Sequence, residues 1–437
     1  MKGRYYCFTI VVRVNQIEVA PGLHLGTDER LENTLENLVK CREAIADAMP
    51  EAQITIAFSH EALSDKTENF VALRQKAKEY HEQYGDDVTY MLGAYCAGAY
   101  SPRQDIISYV DEAMSLLRAF MGETYLPLAI VGGFVPAKVM EHIASLGIRT
   151  IQGVVFSQDA VDNQDGDGAM CYPYYPSKEH FCKPAQNAED FIDIVALDGW
   201  TVDFINATHS GTTAEDYHNR SGCGPIEALY PYGKEKGIEI IIETAAQMFE
   251  ESYALNEGFG YATVIWELCL IQKDGQHQMK FDEKALNHLF KGLKARFPDV
   301  KVVPFGQVGN IFRASYKNND KLNYHFIHRG MDANDSHKSL EIEWYMNKLC
   351  RLAIRTDLRT GEKKIIDFTD YTKTAQEPPD SHYAKGIVYR NWSLLGDINQ
   401  KGLRAQDKPI AIESLSETQK KLIKKAEYKY GFTILDE

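Results

Sequence analysis

The stretch Tyr5-Tyr-Cys-Phe-Thr-Ile-Val-Val-Arg-Val14 is a near-continuous apolar run, and most of the chain repeats its logic. A strand that is apolar at successive positions is buried on both faces, as in a parallel sheet covered by helices. Helical spacing follows over 28–49, with Leu31, Leu35, Leu38, Cys41 and Ile45 on one side, and a second apolar run occupies 53–58. The alternation continues with helices over 66–84, 102–121 and 136–146 and strands over 87–92, 126–132 and 148–156. Pro102 and Pro136 stand at helix starts, where a missing N–H costs nothing, and Gly147 stands where a helix end takes a left-handed residue.

Residues 157–190 interrupt the rhythm with a long segment rich in Asp, Tyr, Pro and Cys. It resumes with expected strands over 191–197, 238–242, 261–266 and 300–304 and helices over 225–236, 281–297 and 306–316. Strands alternating with helices make βαβ units, so the fold class expected is α/β, and the strand number favours a closed (β/α) barrel of seven or eight strands over an open sheet. No Gly-x-Gly-x-x-Gly turn and no P-loop supports a nucleotide-binding sheet. After Lys317 the periodicity changes to alternating strands over 339–346, 350–356 and 363–368, with a hairpin turn at Arg359-Thr-Gly-Glu362. The division expected is a barrel over 1–316 and a small β-rich domain over 317–437, its tail lying across the barrel on Trp392, Leu394 and Leu395 and ending in a helix over 419–430.

Of 437 residues, 48 are basic and 62 acidic, a net charge of −14 that repels phosphate backbones and anionic membrane surfaces. Nucleic acid and membrane are therefore not expected partners. The sequence as given shows no signal peptide and no long apolar span, which reads as cytoplasmic, or as periplasmic if an export signal precedes it. The eight cysteines form no CxxC, and most read as reduced buried thiols; Cys171 and Cys182 flank the long loop and leave a disulfide or ligand pair open.

In a parallel barrel the functional groups follow the strands. The residues in those places include His60, Tyr95, Gln158, Asp198, Trp200, Asp203, Glu243 and Glu267. Acids, amides and aromatics suit glycosidic cleavage or a divalent metal that activates water. Asp198, Glu243, Glu267 and Asp203 are the expected catalytic carboxylates. Trp200, Tyr172, Tyr174, Tyr175, His60, Tyr95 and Gln158 are the expected sugar contacts, though the Tyr172–Tyr175 run reads equally as a Pro-braced loop packed by its own rings. Asn163, Asp165, Asp167 and Gly168, with Asp162 just before them, reproduce the first half of a Ca²⁺ loop, but the twelfth position is Tyr174 instead of Glu and a plain polar turn is the alternative, so the cofactor stays open, with a divalent ion at Asp162, Asp165 and Asp167 as the candidate. No Gly-x-Ser-x-Gly supports a serine hydrolase.

Three segments, Asp162-Asn-Gln-Asp-Gly-Asp-Gly168, Cys171-Tyr-Pro-Tyr-Tyr-Pro176 with Ser-Lys-Glu-His180, and Leu197-Asp-Gly-Trp-Thr-Val-Asp-Phe204, resemble a bacterial family grouped with the glycoside hydrolase/deacetylase superfamily. Trp392-Ser-Leu-Leu and Ile398-Asn-Gln-Lys-Gly402 resemble its C-terminal partner domain. The resemblance implies a distorted barrel acting on carbohydrate. The Zn²⁺ ligands of the polysaccharide deacetylases are not matched: Asn15 and Gln16 stand where an Asp pair belongs, and Tyr95-Cys-Ala-Gly-Ala-Tyr100 where an H-x-x-x-H belongs. Trp200-Thr-Val-Asp203 is similar to the late Trp-x-x-Asp motif. The function expected is a carbohydrate-active hydrolase; the alternatives are a catalytically silent carbohydrate-binding protein and a sugar isomerase or epimerase on the same scaffold.

Overall fold

The computed structural model describes residues 1–92, 101–154, 164–165, 168–205, 229–271, 282–333, 336–380, 390–392, 394 and 410–435. Strand β1 (Gly3–Val12) is the axis of the first region, buried along nearly its whole length. Two short strands follow it, β2 (Glu18–Ala20) and β3 (Leu23–His24). The next parallel strands are β4 (Thr55–Phe58), β5 (Asp87–Tyr90), β6 (Ile130–Val131) and β7 (Thr150–Val154). After β8 (Gln164–Asp165) come β9 (Val195–Asp198), β10 (Phe259–Glu267) and β11 (Lys301–Val302).

β1 pairs with β10 in parallel from Gly3↔Phe259 to Val11↔Glu267. Its other edge takes β11 low down and β4 higher up, and β4 pairs with β5. A second parallel sheet runs β6-β7-β9, joined to the first by a parallel bridge between Met91 and Val131. Beyond β9 the chain turns back beside β10, where the Thr201 N–H donates to the Thr263 carbonyl at 2.9 Å. Adjacent strands thus bring their C-terminal ends to one edge.

Helices cover the outside for reasons visible in sequence. Thr34 accepts from the Asn37 N–H and opens the Leu35–Ala48 helix, which buries Leu38, Cys41, Arg42 and Ile45. Buried Arg42 is held by Asp86, with Nε to Oδ2 at 2.6 Å. Gly85 ends the Glu68–Tyr84 helix at φ 81°, a left-handed position that glycine takes without a Cβ clash.

One expected strand is wrong. Residues 238–242 belong to the Leu229–Phe249 helix, kinked at Gly233. The isoleucine run has strand composition, but it continues into Glu243-Thr-Ala-Ala-Gln-Met, and burial of Ile238, Ile241, Ala245 and Phe249 follows a helical face. Tertiary packing overrode local β preference. A strand not anticipated, β12 (Asn323–Arg329), alternates buried and open positions. It begins an antiparallel sheet with β13 (Leu340–Asn347), β14 (Cys350–Asp357), β15 (Glu362–Asp370) and, after β16 (Arg390–Asn391), β17 (Ile410–Ala411). The Glu417–Tyr430 helix closes the chain with a Ser416/Gln419 capping box.

The two regions are fastened together. Arg351, fully buried, pairs with Asp367 and donates to the Ala169 carbonyl at 2.9 Å. The Tyr371 hydroxyl donates to the Gly168 carbonyl at 2.6 Å. Glu377 accepts from the backbone N–H groups of Ala137 and Phe181 and pairs with Arg103 at 3.0 Å. Trp392 is completely buried against Phe181, as its anchor role requires, and Leu394 packs on the same core. Cys171 and Cys182 are buried thiols and do not form a disulfide. Among the described residues no helix is long and apolar enough to cross a membrane.

Candidate functional site

A charged residue at the end of an apolar strand must find a partner or unfold the strand. Arg13, one residue beyond β1, finds two. Its Nε donates to Glu29 Oε2 at 2.6 Å and its Nη2 to Glu29 Oε1 at 2.9 Å, a forked pair. On its other side Nη2 lies 3.7 Å from Glu267 Oε1. Glu267 is the last residue of β10, paired with Val11 of β1, so register alone carries it to the strand end beside Arg13. The Arg13 side chain is 8% exposed and that of Glu267 is 21% exposed: the cation is sealed in, and the carboxylate reaches solvent. Burial by itself lowers the Arg13 pKa; Glu29 and Glu267 together outweigh it and raise it. Burial is also the main cause of the raised Cys269 thiol, with Glu29 and Glu267 adding to it, which places this thiol in the same anionic surroundings.

Next to it, Glu18 Oε1 accepts from the Ser59 hydroxyl at 2.6 Å and from the Val14 N–H at 2.7 Å. Its Oε2 accepts from the Glu61 N–H at 3.2 Å. Burial raises its pKa against these bonds. With both oxygens engaged, Glu18 shapes the turn that carries Arg13 and is not placed to react.

The other expected residues are dispersed. Asp198 does end β9, buried, with Oδ1 accepting from the Gly199 N–H at 2.8 Å; its charge adds to the burial that raises the Cys171 and Tyr174 groups, which places it on their side. Trp200 is half-buried against the core. Glu243 is a correction: it lies within the Leu229–Phe249 helix rather than at a strand end, and the Arg296 guanidinium donates to its Oε2 at 2.6 Å. Asp203 is fully buried and meets His328 of β12, Oδ1 to Nε2 at 2.9 Å, so it fastens the antiparallel sheet to the first region.

The aromatic run is packing, not an open platform. Tyr172 is fully buried and stacks on Tyr324 with centroids 4.7 Å apart. The Tyr174 hydroxyl donates to the Phe181 carbonyl, and the Tyr175 hydroxyl to the Tyr316 carbonyl. The loop-packed alternative is the one observed. His60 begins the short helix after β4, its ring 6.0 Å from Tyr109 and Nε2 3.1 Å from Glu112 Oε2. Tyr95, Gln158, Asp162 and Asp167 lie outside the described residues, as does the Asp165 side chain; the Asp165 backbone is part of β8. Among the described residues no three His, Cys, Asp or Glu side chains gather as a metal site.

Sequence reasoning missed Arg13 and Glu29. The signal was present: an arginine inside Val11-Val-Arg-Val14 needs an acid close by, and Glu29 follows in the next segment.

The profile of DUF3863, a domain of unknown function with a solved structure, matches residues 1–346, and that of DUF3864, described in the same words, matches 351–430. A Parabacteroides distasonis crystal structure, provisionally described as a glycoside hydrolase/deacetylase, is 36% identical over 98% of this chain and 99% of its own, with a TM-score of 0.89. A GH57 branching enzyme of Thermococcus kodakaraensis is 12% identical over 73% of this chain and 72% of its own, with a TM-score of 0.44. A Mycobacterium smegmatis protein provisionally described as a polysaccharide deacetylase is 13% identical over 72% of this chain and 92% of its own, at 0.42. The last two are too distant to carry a residue role. No curated protein sequence matches the chain.

Proposed function

The chain belongs to the DUF3863 family, with a DUF3864 domain following over 351–430, and on that premise we propose that it is a carbohydrate-active hydrolase whose working carboxylate is Glu267. The observation that carries this reading is a solvent-reaching acid at the C-terminal end of a buried parallel strand, beside a guanidinium already anchored by a second acid. Strand C-termini are where α/β proteins of this kind put their chemistry. The description of the Parabacteroides distasonis relative supports sugar as the substrate class. In this reading the parallel strands close into a distorted barrel of seven or eight, the Thr201–Thr263 hydrogen bond supporting closure between β9 and β10.

A carboxylate next to a fixed cation serves as base or nucleophile better than as proton donor. Glu267 would take a proton from water, or attack the anomeric carbon, while Arg13 keeps the charge balanced and the carboxylate in place. Asp198, ending β9, is the second acid of the scheme. A carboxyl separation of ~5–5.5 Å implies retention of configuration and ~6.5–9.5 Å inversion. Trp200, Tyr95, Gln158 and His60 remain sugar contacts in the proposal, and the Asp162–Asp167 loop remains its place for a divalent cation. Glu243, Asp203 and the three tyrosines leave it.

The experiment is release of reducing ends and of acetate from a glycan panel. Wild type is expected to turn over at least one member; Glu267→Gln loses ~10²–10⁴-fold, and Glu243→Gln behaves as wild type. A second reading, a silent carbohydrate-binding protein, is favoured by Asp203 being spent on His328 and Glu243 on Arg296. Glycan binding by wild type without any product selects it.

A further inference from the structure

A pocket of about 260 Å³ opens at the other end of β10, where β12 crosses the first region. Its lining includes Phe259, the first residue of β10, whereas Glu267 is the last; eight steps at ~3.3 Å each put the two sites roughly 26 Å apart. The lining also brings together Glu257, Lys321, Tyr316, Asn256 and Asn323.

Glu257 and Lys321 carry opposite charges and both line this pocket, yet neither forms an ion pair with another described residue, while acids and bases over the rest of the described surface do so repeatedly. Asn256 is spent on the backbone: Nδ2 donates to the Ser252 and His325 carbonyls at 2.7 Å each, and Oδ1 accepts from the His325 N–H at 3.1 Å. That clamp fixes the next residue, Glu257, at φ 56°, a left-handed conformation disfavoured for a residue that carries a Cβ. Asn323 donates to the Tyr430 carbonyl at 2.7 Å, which ties the lining to the terminal helix. The strained carboxylate also lies close enough to the Tyr316 hydroxyl to add to the effect of burial on it.

We propose that this pocket binds a small zwitterion of the α-amino acid class, its ammonium group toward Glu257 and its carboxylate toward Lys321. A lone cation would be repelled by Lys321 and a lone anion by Glu257, so single charges of either sign are disfavoured. One carboxylate is too few for a hard divalent ion. The volume falls below the ~300 Å³ at which pockets begin to take drug-sized ligands, so the occupant is small.

The test titrates the full-length protein with the twenty free α-amino acids, followed by calorimetry, with ethylamine and acetate as single-charge controls. At least one amino acid is expected to bind with a Kd below about 1 mM, and ethylamine and acetate at least ~10-fold more weakly. Lys321→Met and Glu257→Gln each weaken that binding by ~10-fold or more. Glu257→Gly also loses binding while its thermal midpoint stays level or rises, which separates loss of the carboxylate from loss of the fold. Glycan turnover stays at the wild-type rate in all three variants. Failure of every amino acid to bind at ~10 mM, or binding unchanged in Lys321→Met and Glu257→Gln, overturns the proposal.

Discussion

Asp87 begins β5 and is 3% exposed, and its environment leaves it undersupplied with donors. Oδ1 accepts from the Leu128 N–H at 3.1 Å. The Tyr125 hydroxyl, 3.3 Å from the same oxygen, has one proton and spends it better on the Val88 carbonyl at 2.8 Å. Oδ2 is buried with no partner. Burial therefore raises the pKa of this acid from 3.8 to about 6 despite the bonds to Oδ1. Between those values the folded protein holds a proton that the unfolded chain has lost, so stability falls as pH rises from about 4 to about 6 and levels off above. The rise from 3.8 to about 6 corresponds to roughly 3 kcal/mol. Asp87→Asn removes the slope and adds a pH-independent cost of ~1–3 kcal/mol for an amide N–H₂ placed where Oδ2 found no partner. Urea unfolding of both proteins at a series of pH values from 4 to 7.5 isolates the effect, because every other carboxylate cancels in the difference. The stability of the variant relative to wild type should rise by about 2.4 kcal/mol across the series, because at pH 4 the unfolded chain has already lost most of this proton. A difference that stays flat refutes the reasoning, whatever its offset.

Three further outcomes follow from buried charges. Arg13→Ala leaves Glu29 and Glu267 without their shared cation and should cost ~3–5 kcal/mol in urea unfolding; a loss under ~1 kcal/mol contradicts the assigned triad. His328→Ala leaves one buried bond of Asp203 unmade and should cost ~2–3 kcal/mol, with hydrogen exchange quickening in β12 and β13 before the parallel strands. Glu377→Ala removes the acceptor for two backbone N–H groups and the partner of Arg103, so limited proteolysis within residues 372–380 should speed up while cleavage within the terminal helix does not.

The parallel part of the fold was legible because doubly buried strands leave a composition that little else produces. Tyr5–Val14 and residues 53–58 could be read directly, and the turn at Arg359–Glu362 gave the β14–β15 hairpin. Residues 238–242 misled because isoleucine fits a buried helix face as well as a strand, and periodicity over five residues cannot separate the two. That error moved Glu243 from an outer helix to an imagined strand end. Asp203 and Tyr172 find their partners, His328 and Tyr324, in the second sheet, and no local pattern announces a contact across more than a hundred residues. Glu267 was found from its place after an apolar run. Arg13, its neighbour, was passed over as part of the strand, although a charge in such a run is the kind of residue that demands an explanation.

The proposal stands or falls on whether sugar lies against the end of β10. A crystal structure of the Glu267→Gln protein, soaked with an oligosaccharide that wild type cleaves or binds, measures this directly. The account predicts a glycosidic oxygen or anomeric carbon within ~3–3.5 Å of the side chain at position 267, with Arg13 still forked onto Glu29. A sugar bound elsewhere, with position 267 walled off from it, contradicts it.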